Sequence, residues 1–286
     1  MRKNKLLALG LAALMAASVA GCSTPSASVD DTKAAESGSD SSQSAAAGEK
    51  IFRYSNTADI ATIDPDKTNS VADATVSYHI YDGLYRNVQG ELQPATAESY
   101  EVSDDGLVYT FKLRQDTKWS DGQTVTAKDY EYGMKRLCDP AAACPASYLG
   151  AVLKNGAKVS EGELPVDELG VKALDDFTLE ITLENPADYF VSMTSMSAFM
   201  PVREDLVEKY GNEFGGSADK QVYNGPFVVS EYSNGKVELT KNPDYYDNEK
   251  ISLDGVEILT VADQTTAVSM FDAGELDLAE VPTELA

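Results

Sequence analysis

The chain has 286 residues, with 23 Lys and Arg against 47 Asp and Glu, one His and three Cys. A formal net charge of −24 argues against a nucleic-acid binder, because phosphate neutralisation needs Lys and Arg gathered on one face. One His and three scattered Cys do not make up a Cys/His zinc set of about four ligands, and no apolar run reaches the ~18 residues of an ordinary membrane span.

The first segment reads as a leader. Arg2, Lys3 and Lys5 form a basic start, and Leu6 to Ala20 is apolar but too short for a stable bilayer-spanning helix of about 20 residues. It runs into Ser18-Val19-Ala20-Gly21-Cys22. Small residues before a cut site are the signal-peptidase pattern, and a Cys directly after Ala-Gly resembles a bacterial lipoprotein box. The resemblance implies that residues 1–21 are removed and that Cys22 is lipidated, which anchors an exported chain to the outer face of the cell membrane. Residues 22–50 then read as a flexible tether. They are rich in Ser, Ala, Gly and Asp and hold no aromatic residue, so little apolar surface offsets the entropy of ordering them.

From Ile51 the pattern changes to mixed strands and helices. Ile51 to Tyr54 predicts a strand. Asp73 predicts a cap for a helix through about Leu84, with Val76, Ile80 and Leu84 at four-residue spacing. Leu107, Tyr109, Phe111 and Leu113 alternate with polar neighbours and predict a half-buried strand. Thr126 and Asp129 read as a capping box opening a helix to about Leu137. Phe177, Leu179, Ile181 and Leu183 predict a strand turned at Asp175-Asp176 against 170–174. Pro201 to Tyr210 predicts a helix stopped by Gly211. Phe227–Tyr232 and Lys236–Lys241 flank Asn234-Gly235, a hairpin signal because both turn residues tolerate positive φ. A strand near Val256–Val261, a helix from Asp263 to Gly274 and a short strand at Leu276–Ala279 complete the series. No βα alternation and no solenoid period appear, so the class is α+β.

Three stretches resemble a known family. The first runs from Pro94-Ala-Thr-Ala-Glu98-Ser99-Tyr100 through Leu107–Arg114 to Lys118-Trp119-Ser120-Asp121-Gly122 and Val125–Asp129. The second is Ile63-Asp64-Pro65 with Tyr81-Asp82-Gly83-Leu84. The third is Asn224-Gly225-Pro226-Phe227, Lys241-Asn242-Pro243-Asp244-Tyr245-Tyr246 and Phe271-Asp-Ala-Gly274-Glu275-Leu276-Asp277. Together and in this order they resemble bacterial family 5 solute-binding proteins, the peptide receptors of ABC importers. The resemblance implies a periplasmic-binding-protein-like two-lobe architecture (type II, cluster C), with residues 51–262 as the first lobe including a β-rich subdomain. Residues 263–286 would begin a second lobe largely missing from this chain, which makes the sequence read as a fragment of a longer receptor.

The resemblance also implies a ligand site. The segment after the Asp-Pro pair, here Asn69, Ser70 and Val71, would lie along a bound peptide as a partial strand. Backbone pairing of that kind accepts many sequences. Tyr148, Tyr223, Tyr245 and Tyr246 stand in stretches that resemble cleft-lining or hinge-adjacent regions; burial with a satisfied hydroxyl is the competing reading for each Tyr. Asn224 belongs to the Asn224-Gly225-Pro226 turn, from which its amide is able to point at a ligand. For Cys138 and Cys144 two readings stay open: a local disulfide in an oxidising exterior, or two buried free thiols. The implied ligands are oligopeptides and the implied partners are permease transmembrane subunits with their ATPases. A monomer is expected, with no nucleic acid, cofactor or metal.

Catalytic residues are not expected. His79 has no nucleophile held beside it, Ser77 lying two residues away on a helix faces elsewhere, and no G-x-S-x-G elbow appears. Asp104-Asp105 and Asp175-Asp176 read as solvated turns, where Asp bonds its own backbone. The other expectations carried by the same scaffold are a receptor for a dipeptide, a metal chelate or a sugar, or a sensor or adhesin without transport.

Overall fold

The computed structural model describes residues 48–283. The leader, Cys22 and the tether up to residue 47 lie outside the described residues. The strands are β1 (Ile51–Asn56), β2 (Tyr85–Val88), β3 (Glu91–Pro94), β4 (Ala97–Val102), β5 (Val108–Leu113), β6 (Val171–Asp175), β7 (Thr178–Thr182), β8 (Phe227–Ser233), β9 (Lys236–Lys241) and β10 (Gly255–Thr260). The helices are α1 (Val71–Ile80), α2 (Ala127–Cys138), α3 (Gly156–Ser160), α4 (Phe190–Met193), α5 (Glu204–Tyr210) and α6 (Gln264–Asp272).

The strands form two four-stranded sheets and one hairpin. One sheet has the order β1-β10-β9-β8 and the other β4-β5-β7-β6, with β2-β3 as a separate ribbon. β1 lies parallel to β10, from Ile51 opposite Gly255 to Asn56 opposite Thr260. The second sheet is antiparallel throughout. This is the expected α+β class, and each sheet buries one face under a helix. His79 of α1 rests between Tyr54 and Phe227 of the first sheet, with ring centroids 6.1 and 6.2 Å away. Its Nδ1 is 2.7 Å from the Thr75 carbonyl oxygen, and burial lowers its pKa. His79 is therefore a packing residue. On the second sheet, Tyr109, Phe111, Leu179 and Ile181 meet Tyr130, Met134 and Leu137 of α2 in one buried core.

Most local signals resolve as expected. In the capping box at α2 the Thr126 N–H donates to Asp129 Oδ2 at 2.7 Å, and Asp263 accepts the Thr266 N–H at 2.7 Å to open α6. Trp119 is buried, and the Gly122 N–H closes the turn onto its carbonyl at 2.8 Å.

Three element boundaries are corrected, one turn is refined and one open pair of readings is decided. The cap of α1 is Ser70, whose Oγ accepts the Asp73 N–H, and the helix ends at Ile80, four residues before Leu84. Asp73 is drawn away to the Ala61 N–H at 2.7 Å. Helix α5 begins at Glu204 rather than Pro201. At Asn234-Gly235 only Gly235 takes a positive φ, +83°. The 276–279 stretch makes a single parallel bridge, Leu278 to Tyr54, rather than a strand, with the Asp277 N–H donating to the Arg53 carbonyl. The disulfide alternative gives way to two buried free thiols. Cys138 Sγ packs against Gly150, whereas Cys144 Sγ donates to the Arg136 carbonyl at 3.4 Å.

Candidate functional site

The expected ligand residues separate into three groups. Asn69, Ser70 and Val71 lead into α1. Asn69 is exposed, Ser70 is extended at φ −133° and ψ 160°, and Val71 is 85 % exposed. Val71 is the first helical residue rather than part of an extended strip, because Ser70 caps the helix directly before it. Val71 and Tyr78, the latter 51 % exposed, lie seven residues apart on the solvent face of α1.

The second group closes on Asp82, which lies just past the end of α1 and is 5 % exposed. Asn224 is fully buried. Its side chain accepts the Asp82 N–H at 3.1 Å and donates to the Asp82 carbonyl at 3.0 Å. The Tyr130 hydroxyl donates to the same carbonyl at 3.0 Å. The Tyr245 and Tyr246 hydroxyls both donate to Asp82 Oδ2, at 2.8 and 3.1 Å. Arg86 stands 3.5 Å from that oxygen, 3.8 Å from Asp247, and bonds the Tyr246 hydroxyl. Burial raises the pKa of Asp82 against the pull of Arg86 and the two hydroxyls. Asn224 and Tyr245 thus hold the backbone and carboxyl of Asp82 and present almost no surface of their own; for Tyr245 the reading as a buried Tyr with a satisfied hydroxyl holds. The same holds for Tyr223. It is buried against Tyr81, and its hydroxyl donates to the Ala218 carbonyl at 3.1 Å.

Tyr148 stands apart, 72 % exposed, on a short turn of 3-10 helix at Ser147–Val152. With Tyr189, Met193 and Met196 it borders a concavity of about 560 Å³. A second concavity of about 470 Å³ is lined by Tyr78, Tyr85, Asp82, Arg86, Met196 and Met200, among others. Met196 belongs to both, so the two adjoin along the 192–200 loop. That loop also reaches the entry to α1, where Thr68 Oγ1 and Ser197 Oγ lie 3.0 Å apart. Gly83 permits the close approach, since a Cβ there would meet the Thr194 carbonyl oxygen at 2.2 Å. One solvent-facing band therefore runs from Tyr148 past Met196 to Tyr78 and Val71. Tyr78, Asp82, Arg86, Tyr189 and Met196 were not singled out as ligand residues by sequence reasoning. Asp82 stood within the Tyr81-Asp82-Gly83-Leu84 stretch, and its links to Tyr245 and Tyr246 span more than 160 positions. Among the described residues, no cluster of three or more His, Cys, Asp or Glu is arranged to hold a metal ion, and no helix is long and apolar enough to cross a membrane.

The sequence profile of the bacterial extracellular solute-binding proteins, family 5 (middle region), matches residues 91–286. The chain belongs to this family. It is 38 % identical over 242 residues to a probable deoxycholate-binding periplasmic protein of Escherichia coli, covering 83 % of this chain and 45 % of that protein. It is 35 % identical to the periplasmic oligopeptide-binding protein OppA of Salmonella typhimurium, covering 99 % of this chain and 50 % of the relative. Among solved structures it superposes on Listeria monocytogenes OppA bound to peptide with a TM-score of 0.80 at 34 % identity, over 84 % of this chain and 48 % of that one. The family 5 periplasmic-binding-protein fold is thereby established, and the chain spans about half the length of the curated relatives it matches.

Proposed function

We propose that this chain is the ligand-binding first part of an exported receptor that captures oligopeptides and passes them to an ABC permease driven by ATPases. Residues 51–262 serve as the first lobe and 263–286 as the start of the second. Cys22 carries the lipid anchor, and the receptor acts as a monomer without catalysing a reaction on its cargo. The observation that carries the reading is the band from Val71 and Tyr78 past Met196 to Tyr148. It offers exposed aromatic and methionine side chains beside a short run of backbone at Asn69–Ser70, the combination an extended peptide of variable sequence needs. The names of the OppA relatives support the same ligand class.

Hinged closure on the ligand then follows the general rule that a receptor is shifted toward the state its ligand prefers. Binding is tested by isothermal titration of the chain with a mixed-sequence pentapeptide pool. Saturable heat is expected, and none would overturn the reading. A second reading, an amphipathic sterol acid, is favoured by the deoxycholate-binding relative and by the apolar concavity at Tyr148, Tyr189 and Met193. The acidic net charge opposes an anionic ligand. Titration with deoxycholate separates the two.

A further inference from the structure

The Asp82 carboxyl is held through one oxygen. Oδ2 accepts from Tyr245 and Tyr246 and faces Arg86, while the backbone N–H and carbonyl are clamped by Asn224 and Tyr130. Among the described residues Oδ1 has no hydrogen-bond partner, and it is not among the sealed, unpartnered polar atoms of the interior. Asp82 lines the 470 Å³ concavity.

Arg86 does not complete the neutralisation. One guanidinium serves two carboxylates, Asp82 and Asp247, at 3.5 and 3.8 Å, and also bonds the Tyr246 hydroxyl. The nearby Arg114 is taken up by Asp116 at 3.0 Å and by the face of Tyr246, 4.0 Å from its centroid. A buried carboxylate with a loose partner and one free oxygen is short of a donor. The walls match the rest of a basic side chain. Met196, Met200, Tyr78 and Tyr85 line the concavity beside Arg86, whose own charge is shared by Asp82 and Asp247; the apolar walls receive an aliphatic stem while aromatic faces attract its cationic head.

We propose that this concavity is a subsite for a basic side chain of the ligand, an ammonium or guanidinium whose N–H donates to Asp82 Oδ1 while its methylenes lie along Met196 and Met200. The inference deepens the peptide-receptor reading and rests on it for the source of that side chain.

The test has two arms. In the first, the chain with methyl-labelled Met is titrated with n-butylammonium and, separately, with neutral 1-pentanol, and the Met196 and Met200 methyl resonances are followed. Saturable shifts with the cation alone are expected. They should vanish in Asp82→Asn, which keeps acceptors for the tyrosine hydroxyls, and in Ser192→Lys, which sets a competing cation at the exposed lip. Equal response to both probes, or none, overturns the subsite whatever peptides do, and the lip variant keeps this decision open should Asp82→Asn misfold. The second arm compares penta-alanine carrying Lys or norleucine at each position in turn, so that the peptide terminus is constant. Lys is expected to bind roughly tenfold tighter at one position, and both variants should lose that preference. Shifts with butylammonium but no peptide binding at all would leave the cation subsite standing and remove the peptide reading. Peptide binding without a Lys preference at any position would remove the basic-side-chain proposal and leave the peptide reading intact.

Discussion

The chain contains two buried carboxylate clusters built on opposite terms. At the first, Arg136 of α2 grips Asp64 through two nitrogens at 2.8 and 2.6 Å and Asp66 through one at 2.8 Å. Phe214 covers the guanidinium at 5.4 Å, and Lys67 ties the same turn to the Ala142 carbonyl. At the second, Asp82 meets its arginine only at 3.5 Å and lines a concavity of about 470 Å³. The first cluster is built of short charged bonds that join the Asp64–Lys67 turn to α2, although Asp66 Oδ1 is buried without a partner and Asp64, Lys67 and Arg136 border a concavity of about 500 Å³. The second meets its arginine at longer range and draws on two tyrosine hydroxyls. Short ion pairs make scaffold, whereas a carboxylate held mainly by hydroxyls keeps capacity for a ligand cation.

The strongest way to break the comparison is at Arg136. Replacing it with Met leaves two buried carboxylates without their cation, a change that costs roughly 3–5 kcal/mol. Urea denaturation followed by circular dichroism should show that loss; a change under about 1 kcal/mol would mean the cluster is not structural.

Next is Gly83→Ala, where the added methyl meets the Thr194 carbonyl oxygen at 2.2 Å. The 192–200 loop must shift, with a loss of about 1–3 kcal/mol in the same assay and weaker peptide binding.

The Arg136 cluster also sets a pH dependence. Burial, with Asp64 alongside, pushes the Asp66 carboxyl from 3.8 up to about 7 against the pull of Arg136. The folded chain therefore holds this proton more tightly than the unfolded chain. Its stabilising contribution is complete below about pH 4 and is lost as pH rises through about 7. Asp66→Asn should accordingly gain on the native chain as pH rises across that window, in melts at matched ionic strength. A constant difference would contradict the assignment.

Smaller effects sharpen the contrast. Burial raises Cys138 to about 11 and Cys144 to about 12, so at about pH 8 both should resist a thiol reagent until the chain unfolds. Rapid native labelling of either, read by mass spectrometry, would count against its burial. Last, Val71→Ala should change stability by less than about 0.5 kcal/mol, since Val71 is 85 % exposed, and yet weaken peptide binding.

The sequence disclosed the scaffold better than the site, for physical reasons. Capping at Thr126–Asp129 and Asp263 is local chemistry, readable within four residues. The alternation through Tyr109, Phe111, Leu179 and Ile181 records a face buried under α2 and Phe190. Asp73 misled because two capping residues stood three apart and the structure used Ser70, leaving Asp73 to bond Ala61. The β2–β3 hairpin had no alternation to announce it, since most of its residues are exposed, and its turn places Gln89 as well as Gly90 at positive φ, 54° and 90°. Gln is not a residue that advertises such a turn. Of the ligand residues, the Asn69–Val71 segment came from family resemblance, and the buried fates of Tyr223, Asn224 and Tyr245 came only from three dimensions. Both carboxylate clusters join residues at least 70 positions apart or depend on such partners. No local pattern encodes which oxygen is left free.

The central claim is that the open band around Asp82, Met196 and Val71 belongs to a peptide receptor. Native mass spectrometry of the purified chain with an equimolar pool of tri- to pentapeptides tests it directly. The account predicts peptide-sized adducts, enriched in Lys- and Arg-bearing members and diminished in the Asp82→Asn chain. A spectrum without peptide adducts, or with deoxycholate as the sole adduct when both ligands are offered, would contradict it.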